Sequence, residues 1–152
     1  YRRIGVALTK WIVGRSQSAF TGGLFSLHQD LTAEERVPFL ELPHEIEQGR
    51  DLFSAWIRRH DPDVVISMDT HAPRWIKGMG LRMPEDIAFV SDDWVPSMSG
   101  YAGIDQRRPH VAAAAVDLLA VQMSRFERGV PAVPRQVLIP SAWVDGDSVP
   151  SR

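Results

Sequence analysis

The 152-residue chain has no cysteine, which excludes disulfide bonds and thiolate metal sites and fits a reducing cytoplasm. No apolar run approaches the roughly 20 residues that a membrane-spanning helix needs, and no signal peptide is visible. The formal net charge is only −2, so the chain has no general attraction for nucleic acid or anionic membranes. We therefore expect a cytoplasmic chain without membrane contact, forming one domain or one lobe of a larger domain.

The sequence also lacks the usual motifs of catalysis and metal binding. It has no His-Glu-x-x-His spacing, no Gly-x-Gly-x-x-Gly after a strand and no Gly-x-Ser-x-Gly elbow. The adjacent carboxylates Asp92 and Asp93 point to opposite faces if the backbone is extended, so they do not readily share one substrate or metal. We expect no catalytic residue, no metal and no cofactor. An α/β enzyme with an aspartate-based site stays as an alternative, which requires a nucleophile, base or metal constellation.

What the sequence does contain is an alternation of strand-like and helix-like segments. Short β-branched runs predict strands at 4–8, 37–42, 64–67, 87–90 and 136–139, with loops at 11–18 and 95–103 and a polar tail after the last strand. Helical periodicity predicts helices at 20–29, 46–60, a short segment through Trp75 and 110–128. The last helix carries an apolar stripe of Val111, Ala115, Leu118, Leu119, Gln122 and Phe126. This alternation favours an α/β fold with a doubly wound parallel sheet.

Two of the predicted strands end close to carboxylates. Asp69 follows the strand at 64–67, and Asp93 and Trp94 follow the strand at 87–90. The carboxyl ends of parallel strands share one edge of a sheet, and ligands bind in the crevice beyond that edge. A carboxylate accepts hydrogen bonds from hydroxyl groups, and an exposed indole stacks on the apolar face of a sugar. We predict ligand contact for Asp93, whereas Asp69 could equally cap the next helix and Trp94 could equally pack inside.

The loop predicted after the first strand offers two further candidates for ligand contact. Trp11 and Arg15 lie in the predicted loop after the first strand, on the same predicted edge, where Arg15 could bind a hydroxyl pair or a carboxylate. A solvated surface arginine is an equal alternative for Arg15. The adjacent pair Arg107 and Arg108 is predicted to lie on a solvated face.

One stretch resembles the LacI/GalR family of bacterial transcription regulators. The segment Gly80-Leu81-Arg82-Met83-Pro84-Glu85-Asp86-Ile87-Ala88-Phe89-Val90 is similar to the family pattern Gly-Leu-x-Val-Pro-x-Asp-Ile-Ser-Val-Val. Ser91-Asp92-Asp93-Trp94 then stands where the family has Gly-Phe-Asp-Asp, so the family's ligand-binding aspartate corresponds to Asp93. Upstream, Pro62-Asp63-Val64-Val65 and Met68-Asp69-Thr70-His71-Ala72 resemble the family's Pro-Asp-Ala-Ile and Asn-Asp-x-x-Ala.

The resemblance implies a periplasmic-binding-protein-like effector domain of type I. On this basis residues 1–97 form most of its C-terminal lobe, 98–131 form a crossover and a helix that belong to the N-terminal lobe, and 132–152 form a return strand and tail. The chain starts at Tyr1 directly before a strand, so we expect a C-terminal fragment. Without its partner lobe, the long helix would expose Val111, Leu118 and Phe126.

The function implied by the resemblance is that of a sugar-sensing transcriptional regulator, which is not an enzyme. A small-molecule effector, expected to be a sugar, would bind between the lobes and favour one closure angle. A homodimer would then bind operator DNA differently through a helix-turn-helix upstream of this chain. The alternative is a periplasmic sugar-binding protein of a transporter, which uses the same two lobes.

Overall fold

The computed structural model describes residues 1–15, 19–129 and 133–150. The strands are β1 (Ile4–Thr9), β2 (Leu40–Leu42), β3 (Val64–Ser67), β4 (Ala88–Ser91), β5 (Ala102–Asp105) and β6 (Ala142–Val144). The helices are α1 (Lys10–Arg15), α2 (Ala19–Gln29), α3 (Ile46–His60), α4 (Ala72–Gly78) and α5 (Arg108–Ser124), and a 3-10 turn spans Pro96–Met98. The predicted α/β fold is confirmed.

The six strands form one sheet in the order β2-β1-β3-β4-β5-β6. The first five strands are parallel, and β6 pairs antiparallel with β5. The sheet register places Ala7, Ser67, Ser91 and Gly103 side by side on β1, β3, β4 and β5. Strands are added in one direction from β1 to β2 and in the other from β3 onward. In doubly wound sheets this reversal opens a crevice beyond the carboxyl ends of the strands.

Aromatic side chains of α3 and α4 form the centre of the core. Phe53 is fully buried, with its ring centroid 6.1 Å from that of Trp56 and 5.4 Å from that of Trp75. The Trp56 indole N–H donates to the Pro38 carbonyl at 2.8 Å, which fixes the segment before β2 against α3. A Cβ at Gly5 of β1 would lie 2.4 Å from the Trp56 ring. The close packing of α3 on the sheet therefore requires glycine at this position.

The end of the described chain is tied to the middle of the sheet. Ser148 is buried, and its hydroxyl donates to the Phe89 carbonyl at 2.6 Å and accepts the Ala102 N–H at 2.9 Å. The Phe89 N–H donates in turn to the Ser148 carbonyl at 2.9 Å. The segment after β6 thus completes the hydrogen bonding at the amino ends of β4 and β5.

Two predictions for the first third of the chain need correction. The predicted loop at 11–18 is wrong for residues 11–15, which belong to α1; the rest of that loop lies outside the described residues. Nothing in Trp11-Ile12-Val13 stops a helix, and Gly14 costs only about 1 kcal/mol relative to alanine. The strand predicted at 37–42 is shortened to β2, because Pro38 has no backbone N–H to donate to a neighbouring strand.

The predictions for the last strands are also wrong. The predicted loop at 95–103 contains the start of β5, which the sequence pattern does not reveal because Gly103 interrupts its short apolar run. A Cβ at Gly103 would lie 2.5 Å from the Ser91 carbonyl oxygen, so close strand packing explains this glycine. The segment at 136–139 forms no strand. The last strand is β6, within the predicted polar tail, where β5 supplies its pairing partner.

Helix α5 is found as predicted, but its ends differ. It begins at Arg108 and ends at Ser124, because Phe126 adopts a left-handed conformation with φ of 56°. None of its residues is buried, nor is any other member of the predicted stripe, and Phe126, two residues beyond the helix, is 85% exposed. The helix therefore presents apolar side chains that the described parts of the chain do not cover.

Candidate functional site

Strands β3 and β4 bring the predicted carboxylates to one edge of the sheet. Ser67 and Ser91 are partners in the register of these strands, and Asp69 and Asp93 each follow two residues later. The Asp92 N–H donates to the Ser67 carbonyl at 3.2 Å, which extends the contact of the two strands past their ends. The predicted convergence of Asp69 and Asp93 at the carboxyl edge therefore has a structural basis in the sheet register.

Asp69 shapes the turn between β3 and α4. Its Oδ1 accepts the His71 backbone N–H at 2.8 Å and lies 2.9 Å from Nδ1 of the same histidine. The Asp69 N–H donates to the Ser67 hydroxyl at 3.1 Å, and that hydroxyl donates to the Ala7 carbonyl at 2.6 Å. The residue at the cap position of α4 is His71. Asp69 therefore does not occupy the cap position that the sequence left open for it, and its carboxylate orients the histidine instead.

Asp93 has one paired and one unpaired carboxylate oxygen. Its Oδ2 accepts a hydrogen bond from the Arg108 guanidinium, and only 18% of its side chain is exposed. Its Oδ1 is buried and has no hydrogen-bond partner in the part of the chain that the structure describes. A buried acceptor without a donor is costly. A ligand hydroxyl that reaches this oxygen would therefore gain a strong, charge-assisted hydrogen bond.

Arg108 lies on a solvated face as predicted, with 59% of its side chain exposed, but its guanidinium also pairs with Asp93, which the sequence did not suggest. A tight turn after β5 directs it toward the strand ends. In this turn the Arg107 N–H donates to Asp105 Oδ1 at 2.8 Å, and Arg107 adopts a left-handed φ of 49°. The Gln106 side-chain amide donates to the Asp92 carbonyl at 3.2 Å. The sequence does show an arginine pair shortly after Asp105. Because β5 was not predicted, it did not show that this pair follows the end of a strand.

Asp92 is the least favourably placed carboxyl group at this edge. It is half-buried. Burial, and to a smaller extent the negative charge of Asp93, raises the pKa of Asp92 from its ordinary value of 3.8 to about 6. Both causes disfavour the charged form. Asp92 therefore changes its charge in the mildly acidic range, beside the carboxylate of Asp93 with its unpaired, buried Oδ1.

Trp94 packs inward more than expected. Its indole N–H donates to the Tyr101 carbonyl at 3.1 Å, and its backbone N–H donates to the Ile104 carbonyl at 2.9 Å. The side chain is half-buried and packs against the hydrophobic core. Of the two alternatives that the sequence left open for Trp94, the structure shows inward packing, because the indole N–H finds its partner inside the protein. Any stacking by Trp94 is limited to the part of the ring that stays accessible.

Trp11 and Arg15 flank the same edge at the start of the chain. They lie on α1, which begins directly after β1, and the Arg15 guanidinium sits 4.6 Å above the centroid of the Trp11 ring. In the described ranges, no hydrogen bond or ion pair connects Arg15 to Asp69 or Asp93. The structure therefore joins Arg15 to Trp11 as an exposed cation–π pair, worth about 0.5–1 kcal/mol, apart from the carboxylates.

The chemistry of this edge is hydrogen bonding. Within residues 1–15, 19–129 and 133–150, no group of three or more histidine, aspartate or glutamate side chains could hold a metal ion, and no helix of these residues is both long and apolar enough to cross a bilayer. Carboxylate acceptors stand beside the guanidinium donors of Arg108. This combination suits a ligand with many hydroxyl groups, since each hydroxyl both donates and accepts.

No sequence-family model matches the chain, and no curated protein matches it. Solved structures do match its fold. A LacI family transcriptional regulator from Enterococcus faecium with bound ribose superposes with a TM-score of 0.69 at 15% identity, over 97% of this chain and 56% of that chain. The chain therefore has the fold of about half of this LacI-family regulator. A LacI family regulator from Arthrobacter sp. FB24 in complex with lactose gives 0.70 at 20% identity, over 98% of this chain and 57% of that one.

A third neighbour, a periplasmic binding protein/LacI transcriptional regulator from Alkaliphilus metalliredigens complexed with D-xylulofuranose, gives a TM-score of 0.71 at 15% identity, over 99% of this chain and 57% of that chain. The structural neighbours are mostly LacI-family regulators and periplasmic-binding-protein-like proteins. The chain spans about half the length of these neighbours. The fold expected from the resemblance of residues 80–94 is confirmed.

Proposed function

We propose that this chain is the ligand-sensing part of a LacI-type transcriptional regulator, which binds a sugar at the carboxyl edge of the sheet. The observation that carries the proposal is the buried, unpaired Oδ1 of Asp93. Asp69 and the accessible part of Trp94 would complete the contact, with Trp11 and Arg15 at the flank. Three neighbours with the same fold hold ribose, lactose or D-xylulofuranose, which supports a sugar as the ligand.

The proposed site lies between two lobes, of which this chain supplies mainly one. Residues 1–97 would form most of the C-terminal lobe, to which residues 132–152 return. Residues 98–131 would carry α5 into the N-terminal lobe. The absence of any buried residue on α5 supports this division, because an isolated helix with exposed Val111, Leu119 and Phe126 would gain from a covering lobe.

The mechanism would be a shift between closure states. A sugar that binds both lobes favours one closure angle by its difference in affinity for the two states. In a cytoplasmic homodimer, this changes the affinity for operator DNA, which is bound by a helix-turn-helix outside this chain. The protein would not be an enzyme. Among the neighbours the regulators predominate, so they favour this function over that of a transport protein.

The substitution Asp93→Asn in the intact protein tests the proposal. Calorimetric titration with ribose, xylulose and lactose shows which sugar binds the wild type. A hydrogen bond to a charged group contributes about 1.5–3 kcal/mol, so we expect Asp93→Asn to weaken binding by about 10- to 100-fold. The control is Asp30→Asn, which removes an exposed carboxylate in the turn after α2.

Two results would contradict the proposal. The first is a wild type that binds none of the three sugars. The second is an Asp93→Asn variant with the wild-type affinity for the sugar that binds. The regulatory part of the proposal is tested separately, by the affinity of the intact protein for DNA from its own promoter with and without that sugar. An affinity for DNA that the sugar does not change would refute the regulatory role and leave sugar binding intact.

A further inference from the structure

We infer that Arg108 and Asp93 together bind two neighbouring hydroxyl groups of the ligand, and we call this pair the diol clamp. The inference rests on the proposed function and adds a residue and a ligand class to it. The sugar must carry two free hydroxyl groups on adjacent carbons, and Arg108 decides whether both are recognised.

The first support is the number of donors that Arg108 has left. A guanidinium carries five N–H donors in a planar fork. In the described part of the chain, the Arg108 guanidinium makes one hydrogen bond, from one terminal nitrogen to Asp93 Oδ2. The arginine side chain is 59% exposed, so its other donors are accessible, next to a carboxylate whose buried Oδ1 has no hydrogen-bond partner among the described residues.

The second support is the match between this pair and a diol. One hydroxyl of the ligand donates to Asp93 Oδ1, and the neighbouring hydroxyl accepts an N–H of Arg108. Each hydroxyl keeps its second hydrogen-bonding function for the other lobe or for water. Because the carboxylate and the guanidinium are already joined, the donor and the acceptor stand side by side before the ligand arrives. Such preorganisation lowers the cost of binding.

The turn that carries Arg108 supports the same conclusion. The Arg107 N–H donates to Asp105 Oδ1, and the Gln106 side-chain amide donates to the backbone carbonyl of Asp92, directly after β4. Pro109 lies in the first turn of α5, where its ring restricts the backbone. Arg108 therefore starts from a backbone position that is fixed on both sides.

The surrounding charges favour a neutral polyhydroxyl ligand over an anion. Besides Asp93, the strand ends carry the carboxyl groups of Asp69, Asp92 and Asp105. Arg108 is already paired with one carboxylate, so a phosphate or a sugar acid placed here would face like charges close by. An uncharged sugar pays no such penalty, and its hydroxyl groups suit the acceptors and donors equally.

The test measures discrimination between hydroxyl groups. The intact protein is titrated calorimetrically with ribose, xylulose and lactose, and the sugar that binds is then compared with its deoxy analogues, each lacking one hydroxyl. For the wild type we expect removal of either clamped hydroxyl to weaken binding about 10- to 100-fold. For Arg108→Ala we expect weaker binding of the parent sugar. In this variant, removal of the hydroxyl that accepts from the arginine should weaken binding by only about threefold or less. Removal of the hydroxyl that donates to Asp93 should weaken binding as much as it does in the wild type.

Two further variants separate the role of the guanidinium from that of charge. Arg108→Lys keeps a positive charge but loses the planar fork, so the discrimination at that hydroxyl should stay lost even if some affinity returns. Arg58→Gln removes the positive charge of an exposed arginine on α3, outside the turn that carries Arg108. This control should keep the wild-type discrimination. Circular dichroism confirms that each variant is folded.

The remaining outcomes distinguish this inference from the proposed function. If binding depends on Asp93 but Arg108→Ala keeps the wild-type affinity and discrimination, the clamp is refuted and the sugar site stands. If Arg108→Ala binds the sugar more tightly, Arg108 competes with the ligand for Asp93, and the clamp is again refuted. If the wild type binds none of the sugars, both the proposed function and the clamp fail.

Discussion

The substitution Asp92→Asn should stabilise the protein at neutral pH and have no such effect in acid. Burial and the neighbouring Asp93 raise the pKa of Asp92 from 3.8 to about 6. Between these two values the folded protein binds a proton that the unfolded chain has released, so the free energy of unfolding falls as the pH rises. Above about pH 6 the penalty is complete, and below about pH 4 it is absent. Asparagine keeps the size of the side chain and removes the charge.

The magnitude follows from the two pKa values. One pH unit corresponds to 1.36 kcal/mol, so a difference of about two units sets an upper value of about 3 kcal/mol. Asp92 is only half-buried, and solvent screening reduces the effect. We expect Asp92→Asn to raise the free energy of unfolding by about 1–2 kcal/mol at pH 7 to 8, relative to its effect at pH 4.5.

Urea unfolding of wild type and variant at half-unit steps from pH 4.5 to 8 measures this difference. The wild type and the variant share every other titrating group, such as Asp86, whose pKa the hydrogen bonds from Arg82 lower to about 2. Their difference therefore isolates Asp92, and any pH-independent cost of the amide group appears as a constant offset. A difference that stays the same across the whole range would refute the argument, because a raised pKa requires it to grow with pH.

Two further substitutions test the packing of the sheet by urea unfolding. Gly5→Ala should lower the free energy of unfolding by about 1–3 kcal/mol, because the new methyl group meets the Trp56 ring at 2.4 Å. The control Gly22→Ala lies in helix α2 with nothing within 4 Å and should raise the free energy of unfolding by up to about 1 kcal/mol; equal effects would contradict the packing. Ser148→Ala should lower the free energy of unfolding by about 1–3 kcal/mol, because it leaves the buried Ala102 N–H without an acceptor. An unchanged unfolding midpoint would show that this hydrogen bond contributes nothing.

The parts of the fold that could be predicted are those with strong local patterns. Helix α3 and strand β3 occupy the predicted residues, because α3 has a long apolar stripe and β3 is a short, β-branched apolar run that ends at Ser67. Strands β5 and β6 are short, and the feature that links them is their pairing with each other. Pairing between distant segments leaves no periodic signal in either one, so propensity alone could not find them.

The site could be predicted only where it follows from strand ends. Asp69 and Asp93 follow the ends of two paired strands because parallel strands align their carboxyl ends, which is a property of the whole fold class. Arg108 depends on a left-handed residue at Arg107 and on a strand that was missed. The inward turn of Trp94 depends on one hydrogen bond to the Tyr101 carbonyl. Single turns and single hydrogen bonds of this kind have no counterpart in the residue pattern.

The pairing of β5 with β6 has a consequence for the order of folding. The two strands are separated by all of residues 106–141, including α5, so bringing them together closes a long loop at a cost in entropy. Strand β6 and Ser148 are also synthesised after all of β1 to β5. We therefore expect β1 to β4 to assemble first, while the edge of β5 stays open until β6 arrives. During that interval the exposed edge is the surface through which a second nascent chain could pair by mistake.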